Sequence, residues 1–228
     1  MVAKIRAYKS PDDIETSLRY IEGHRKVLES YGVKKVTSAN HNWLYDDQTY
    51  VVIVESEDGD RIFGGTRVQI RSNDLKMPME DAIAKIDPNI YDYMDNYENK
   101  TLAEFCGLFN SKEVAGFGIG SIFLGRIAIA IAANLGVDHM MGLCSPATLR
   151  NSLRVGFEIL RDLGNNGTFY YPRESLIATA LVIKDVVNLP NATTEERDRI
   201  LDLRNNPNQF AVEKGPKGEL DIIYDTKI

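Results

Sequence analysis

Cysteine and histidine are scarce in this chain. Two cysteines, Cys106 and Cys144, and three histidines stand among 228 residues. No His–Cys spacing suits zinc, so a metal site is not expected. Both cysteines lie inside apolar runs, as free thiols do in a reducing compartment. A basic block is also absent: net charge is −6, with both signs interspersed. Binding to phosphate backbones needs clustered Lys and Arg, so nucleic acid is not an expected partner. The N-terminal "MVAKIRAYKSPDD" lacks the apolar core of a secretory signal. The most apolar stretch, Ile119 to Leu135, is broken by Arg126 and is too short to span a bilayer. These absences leave a cytoplasmic protein with no membrane partner as the expectation. An apolar content of 43% supports a real core, and nothing linker-like divides the chain, so a single domain over 1–228 is expected.

What is present reads as mixed α and β. Ser10-Pro11 has the punctuation of a helix start, with Ser as N-cap and Pro at the first helical position. Ile14, Leu18, Ile21 and Leu28 then recur at roughly helical spacing, and Gly32 ends the run. "VKKVT" suits a short strand. "YVVIVESEDGDRIFGGTRVQI" is a hairpin turning at Glu57-Asp58-Gly59-Asp60. "MPMEDAIAKI" and "DPNIYDYMDNY" suit short helices, and "TLAEFCGLF" a buried strand. Ile122 to Leu135 is a helix apolar nearly all round, which implies burial on most sides. "VDHMMGLCS" follows as a strand and "PATLRNSLRVG" as a short helix opened by Pro and closed by Gly. "GTFYYP" and "SLIATALVIKDVV" read as strands. "TTEERDRILDLRNNP" reads as a helix, and "QFAVEKGPKGELDIIYD" as a second hairpin turning at Gly215-Pro216. Two hairpins favour a largely antiparallel sheet in an α+β fold.

Between the buried strand and the buried helix lies "AGFGIGS", residues 115–121, with glycine at every second position. A strand, glycine loop and helix in this order aim backbone N–H groups and a helix N-terminus at an anion, usually a phosphate. A Walker loop needs Gly-Lys-Ser/Thr, and Gly120 is followed by Ser121-Ile122. A dinucleotide fingerprint needs a third glycine where Ser121 or Phe123 stands, and repeated βαβ units that the chain lacks.

The remaining pattern is G-x-G-x-G at Gly116-Phe117-Gly118-Ile119-Gly120, then a second strand, then a short helix ending in Gly156-Phe157. From Leu102 to Phe157 this arrangement resembles the GNAT superfamily of acyl-CoA-dependent N-acyltransferases. The resemblance implies a GNAT-like, largely antiparallel twisted sheet flanked by helices, here extended by a C-terminal helix and hairpin. It implies that Gly116, Phe117, Gly118, Ile119, Gly120 and Ser121 hold the coenzyme A pyrophosphate. It also implies that the preceding strand splays from its neighbour to take the pantetheine arm. Such loops usually open with Arg or Gln, and here Ala115 stands in that place.

The N-terminal half is similar to one GNAT-like branch, the acyl-homoserine-lactone (autoinducer) synthases. The likeness rests on "HRKVL" in the first helix, Trp43 with Asp46-Asp47 in a loop, Gly64-Gly65-Thr66-Arg67, and the "EFCGLF" strand at Glu104. Cys106 and Gly107 replace that branch's Ser and Arg. His24 or Arg25 stands near its first-helix Arg.

The resemblance implies acyl-CoA as co-substrate, acetyl-CoA first among donors, and a small-molecule amine as acceptor. A homodimer is compatible with it. Glu104 is the candidate base, because burial on an apolar strand raises a carboxyl pKa toward useful values. An N–H near Leu108 or Phe109 would hold the oxyanion. Trp43 and Arg67, with Tyr45, are candidates for the acceptor pocket. The usual Tyr acid is replaced by Ser152, which a thiolate leaving group tolerates. Cys144 is a poor nucleophile candidate, since His139 falls on the opposite strand face by parity. Two other readings remain open. One is a long-chain N-acyl amino acid or autoinducer-type synthase using acyl carrier protein. The other is a GNAT-fold protein that binds acyl-CoA without turnover.

Overall fold

A computed structural model describes residues 2–33, 36–97 and 99–228, with only the backbone of Ser121. The strand expected at "VKKVT" falls on Lys34 and Lys35, outside the described residues. The described chain runs β1 (Val2–Lys9), α1 (Ile14–Ser30), β2 (Thr49–Ser56), β3 (Ile62–Ile70), α2 (Pro78–Ile83), α3 (Asn89–Asp95) and β4 (Leu102–Asn110). It continues with α4 (Leu124–Asn134), β5 (His139–Cys144), α5 (Pro146–Arg154), β6 (Glu158–Ile159), β7 (Thr168–Tyr170) and β8 (Ile177–Ile183). α6 (Thr194–Asn205), β9 (Asn208–Gly215) and β10 (Gly218–Asp225) complete it. The strands form one sheet in the order β6-β8-β5-β4-β3-β2-β1-β10-β9, with β7 also pairing β8. β1–β10 and β4–β5 are parallel, and the other pairs are antiparallel. Both expected hairpins and the largely antiparallel sheet are present.

α4 and α6 cover one face of the sheet. From Leu124 to Ala132 every α4 residue is buried, because the helix is held between the sheet and α6. Arg126 is the one charge on that buried stretch. Its Nε donates to Glu196 at 2.6 Å and its Nη1 to Glu213 at 2.9 Å. Glu213, on β9, also accepts from Arg199 and from the Tyr224 hydroxyl. The network ties the C-terminal helix and hairpin to the helix that leaves the glycine loop. Arg126→Met strips both buried carboxylates of their shared cation. A loss of about 3 kcal/mol is expected in urea unfolding, near the low end for breaking a buried pair because Arg154 and Arg199 remain.

The opposite face carries α1, α2 and α3, and two expectations are corrected there. Asp13, not Ser10, caps α1: its side chain accepts from Thr16 N, while Ser10-Pro11-Asp12 forms a separate 3₁₀ turn. The buried stripe of α1 is Thr16, Ser17, Tyr20 and His24, whereas Leu18 is 48% exposed. The reason lies under the helix. A Cβ on Gly65 would meet the Tyr20 ring at 2.8 Å, so α1 sits directly on a glycine of β3. β1 was not apparent in the sequence. Its inward residues are Ala3, Ile5 and Ala7, two of them too small for a clear alternating pattern.

Candidate active site

β4 changes character half-way along. Its parallel ladder to β5 runs from Leu102↔His139 to Phe105↔Gly142 and goes no further. β5 continues beside β8 to Cys144↔Thr179. From Cys106 onward the two strands therefore diverge. On its other side β4 pairs β3, but the register shifts between Gly65 and Arg67. The extra residue is accommodated at Gly107, whose φ of +63° lies in the left-handed region. Gly107 O accepts from the Tyr20 hydroxyl at 2.7 Å, and Cys106 O accepts from Thr66 Oγ1 at 2.9 Å. A Cβ at Gly107 would run into the Tyr20 hydroxyl. This glycine, read in the sequence as a departure from a family pattern, is the pivot of a bulge.

The loop after β4 shows why its glycines alternate. Gly116 and Gly118 have φ of +92° and +91°. A Cβ on Gly116 would meet the Lys217 side chain at 2.7 Å, and one on Gly118 the Phe123 ring at 2.6 Å. A Cβ on Gly120 would collide with the Asn110 amide. The atoms that crowd each glycine thus belong to the protein itself. The loop then enters a π-helical turn over Ile119–Phe123. Phe123 N donates to Gly118 O at 3.2 Å. The amides of Ile119, Gly120 and Ile122 precede that bond, and so lack the intrahelical acceptors of later residues. Lys217, from the β9–β10 turn, brings a cation beside a loop that opens with Ala115, and its N–H donates to Gly116 O at 2.9 Å.

Below the bulge, one face of the sheet is polar in its interior. Arg67 pairs Cys106 across the ladder and Gln69 pairs Glu104, so all four share that face. Glu104 is 2% exposed. Its Oε2 accepts from Met79 N at 2.8 Å. Burial pushes its pKa up to about 8, against the pull of that N–H and of Arg67. Burial, and then the Arg67 charge, lower His24 to about 4, so its ring is neutral. Cys106 is pushed up to about 12 and Cys144 to about 11, both chiefly by burial. Neither is a ready thiolate.

Trp43 is fully buried. Its indole N–H donates to Asn40 O at 2.6 Å, and the Arg67 guanidinium lies over its ring at 4.2 Å. It supports Arg67 rather than lining an open acceptor pocket. Tyr45 is exposed. Asp46 bonds Thr49 and Asp47 pairs Lys9, so the acidic loop residues stay local. The Phe109 ring packs on Tyr20 and His24, and Leu108 packs toward the α4 face. Ser152 bonds Thr148 O within α5. Arg25 is exposed and paired with Glu22 and Glu29, whereas His24 is the first-helix residue that faces the site. Among the described residues no three His, Cys, Asp or Glu side chains group as metal ligands. No helix among them is long and apolar enough to cross a membrane.

A splayed β4–β5 pair, a bulged β4 and a glycine loop opening a buried helix are together the landmarks of one architecture. Comparison with solved structures finds it. The chain has the GNAT fold. It matches FeeM, an N-acyl amino acid synthase from uncultured soil microbes, at TM-score 0.63 and 15% identity, over 86% of this chain and 97% of that one. It matches the CoA-dependent acyl-homoserine lactone synthase BjaI at TM-score 0.54 and 12% identity, over 89% and 90%. An acyl-CoA N-acyltransferase from Pseudomonas aeruginosa matches at TM-score 0.54 and 13% identity, over 79% and 98%. No family model matches the sequence, and no curated protein does.

Proposed function

We propose that this GNAT-fold protein is an N-acyltransferase that moves an acyl group from acyl-CoA to a small-molecule amine. The observation that carries the reading is the divergence of β4 from β5 immediately beyond Phe105 and Gly142, one residue past the buried Glu104. The unpaired edge of β4 fits an extended pantetheine arm. Gly116 to Ser121, with Lys217 beside them, fit the pyrophosphate at the arm's other end. Bound acyl-CoA would supply the thioester: as the amine nitrogen bonds to its carbonyl carbon the C–S bond breaks, and coenzyme A leaves as a thiolate that takes up the nitrogen's surplus proton. Glu104, in its ionised form, takes a proton from the acceptor's ammonium group and leaves the nitrogen lone pair free. Amides on the β4 edge near Leu108 and Phe109 hold the carbonyl oxygen.

The solved relatives include synthases of N-acyl amino acids and acyl-homoserine lactones, and one of these is CoA-dependent by its name. A carrier-protein donor is the weaker reading for this chain. Such carriers are acidic and dock on basic patches. This chain is itself at −6, and its "HRK" is flanked by Glu22 and Glu29. The test offers acetyl, octanoyl and palmitoyl groups on CoA and on carrier protein, with a pool of amines, and follows thiol release. Turnover with CoA esters is expected, acetyl-CoA being the first donor to try. Turnover with carrier thioesters alone overturns the donor assignment, and CoA binding without turnover makes the protein a sensor.

A further inference from the structure

Among the described residues Arg67 is a buried charge with two side-chain nitrogens left without a partner. It sits mid-way along β3 and is 1% exposed. Nη1 donates to Ser38 O at 2.9 Å, and one face of the guanidinium rests on Trp43. Nε and Nη2 are buried and have no hydrogen-bond partner, and no Asp or Glu among the described residues forms an ion pair with the group. Burying a cation costs several kcal/mol of desolvation, which one carbonyl, an indole face, the adjoining Cys106 thiol and the pull of Glu104 offset only in part. The two orphan donors are not scattered. Nε and Nη2 form one edge of the guanidinium, a fork whose spacing matches the two oxygens of a carboxylate.

The neighbourhood completes the pattern. Arg67 and Glu104 stand diagonally across the β3–β4 ladder on the same face, at positions whose Cα atoms are about 7–8 Å apart. A cationic fork and a carboxyl that share one face and feel each other's charge complement a zwitterion, anion to one and ammonium to the other. His24, neutral in its buried place, adds no competing charge.

We infer that Arg67 seats a carboxylate carried by the acceptor, so that the acceptor amine is an amino acid. The inference rests on the transferase reading for the role of Glu104, but not for the binding itself. Thiol release from acetyl- and octanoyl-CoA is measured with a panel of amino acids, each beside its carboxamide and its decarboxylated amine. The acid is expected to exceed its amide by roughly 10²-fold or more in kcat/KM, because the amide leaves the fork unpaired. The amide's less basic nitrogen would by itself favour the opposite order. Calorimetry reads binding apart from turnover: acid bound, amide not. Arg67→Met should abolish the preference while melting no lower than the wild type, since it removes a buried charge that its neighbours compensate only in part. If that variant does not fold, Arg67→Lys, which keeps charge without the fork, should weaken the preference.

Equal use of acids and amides overturns the inference, as does a preference that survives in Arg67→Met. A gain confined to carboxylate-bearing donors such as succinyl-CoA also overturns it, because the fork would then serve the acyl group. Acid-selective binding without turnover for any amine leaves Arg67's role standing and removes the transferase reading.

Discussion

Glu104→Gln is expected to lower kcat/KM by roughly 10²–10⁴-fold, the loss typical of a missing general base. Coenzyme affinity should stay near wild type, since Glu104 lies below the point where β4 leaves β5. The pH profile carries the sharper signature. With its pKa pushed up to about 8, the wild-type carboxyl becomes a base only as pH rises through that value. The rising limb near pH 8 should vanish in the variant, leaving only the titration of the acceptor amine. Stability should move the other way. The folded-state pKa lies above the ordinary carboxyl value, so the folded protein binds more protons between about 4.5 and about 8. The favourable contribution is complete below pH 4.5 and is lost as pH rises through 8. A tenfold change in proton affinity corresponds to about 1.4 kcal/mol. Several kcal/mol of pH-dependent stability should therefore disappear in the variant, which at pH 9 outlasts wild type in urea. Full activity across pH in Glu104→Gln would make this carboxyl only the acceptor for Met79 N–H.

These two effects have opposite signs at one residue, and Arg67 repeats the pattern. Both place a titratable or charged group where folding alone would prefer an apolar one. Natural sequences keep such local conflicts mainly at sites they use. The buried polar row on β3 and β4 is thus a stronger functional pointer than the glycine loop, whose spacing the protein's own packing explains.

Local signals were legible in the sequence and distant ones were not. The Asp58-Gly59 turn, the all-round apolar α4 and the Pro146 start of α5 each depend on neighbours a few residues away, and each is where the pattern places it. β1 is held between β2 and β10, some fifty and two hundred positions on, and its two inward alanines say little by themselves. On α1 apolar spacing ignores what lies beneath: Ile14 and Ile21 only flank the buried cluster, and Tyr20 and His24 are at its centre. Gly65 and Gly107 together admit a tyrosine whose hydroxyl must reach a carbonyl. At the site, Glu104 was identifiable as a charge in an apolar strand. Arg67's orphan fork was not, because it is defined by the absence of a partner, which depends on how distant segments pack. Trp43, the single tryptophan, lies behind Arg67.

The glycine loop yields the second large effect. Gly118→Asp should lower coenzyme A affinity by roughly 10²-fold or more, through two causes that a paired variant separates. At φ +91°, with the Phe123 ring 2.6 Å from an added Cβ, any side chain forces the loop to shift. Asp and Asn impose that shift nearly equally, being similar in shape and among the residues most tolerant of positive φ. They differ in charge. If the amides of the π-helical turn and Lys217 hold the pyrophosphate, Asp repels it and Asn does not. Affinity for coenzyme A should then fall much further in Gly118→Asp than in Gly118→Asn, with the gap narrowing as salt is raised. Acyl-pantetheine, which has no pyrophosphate, should bind both variants alike. Equal losses of coenzyme affinity in Asp and Asn, independent of salt, would mean that the glycine serves only the packing of Phe123 and that the phosphates bind elsewhere.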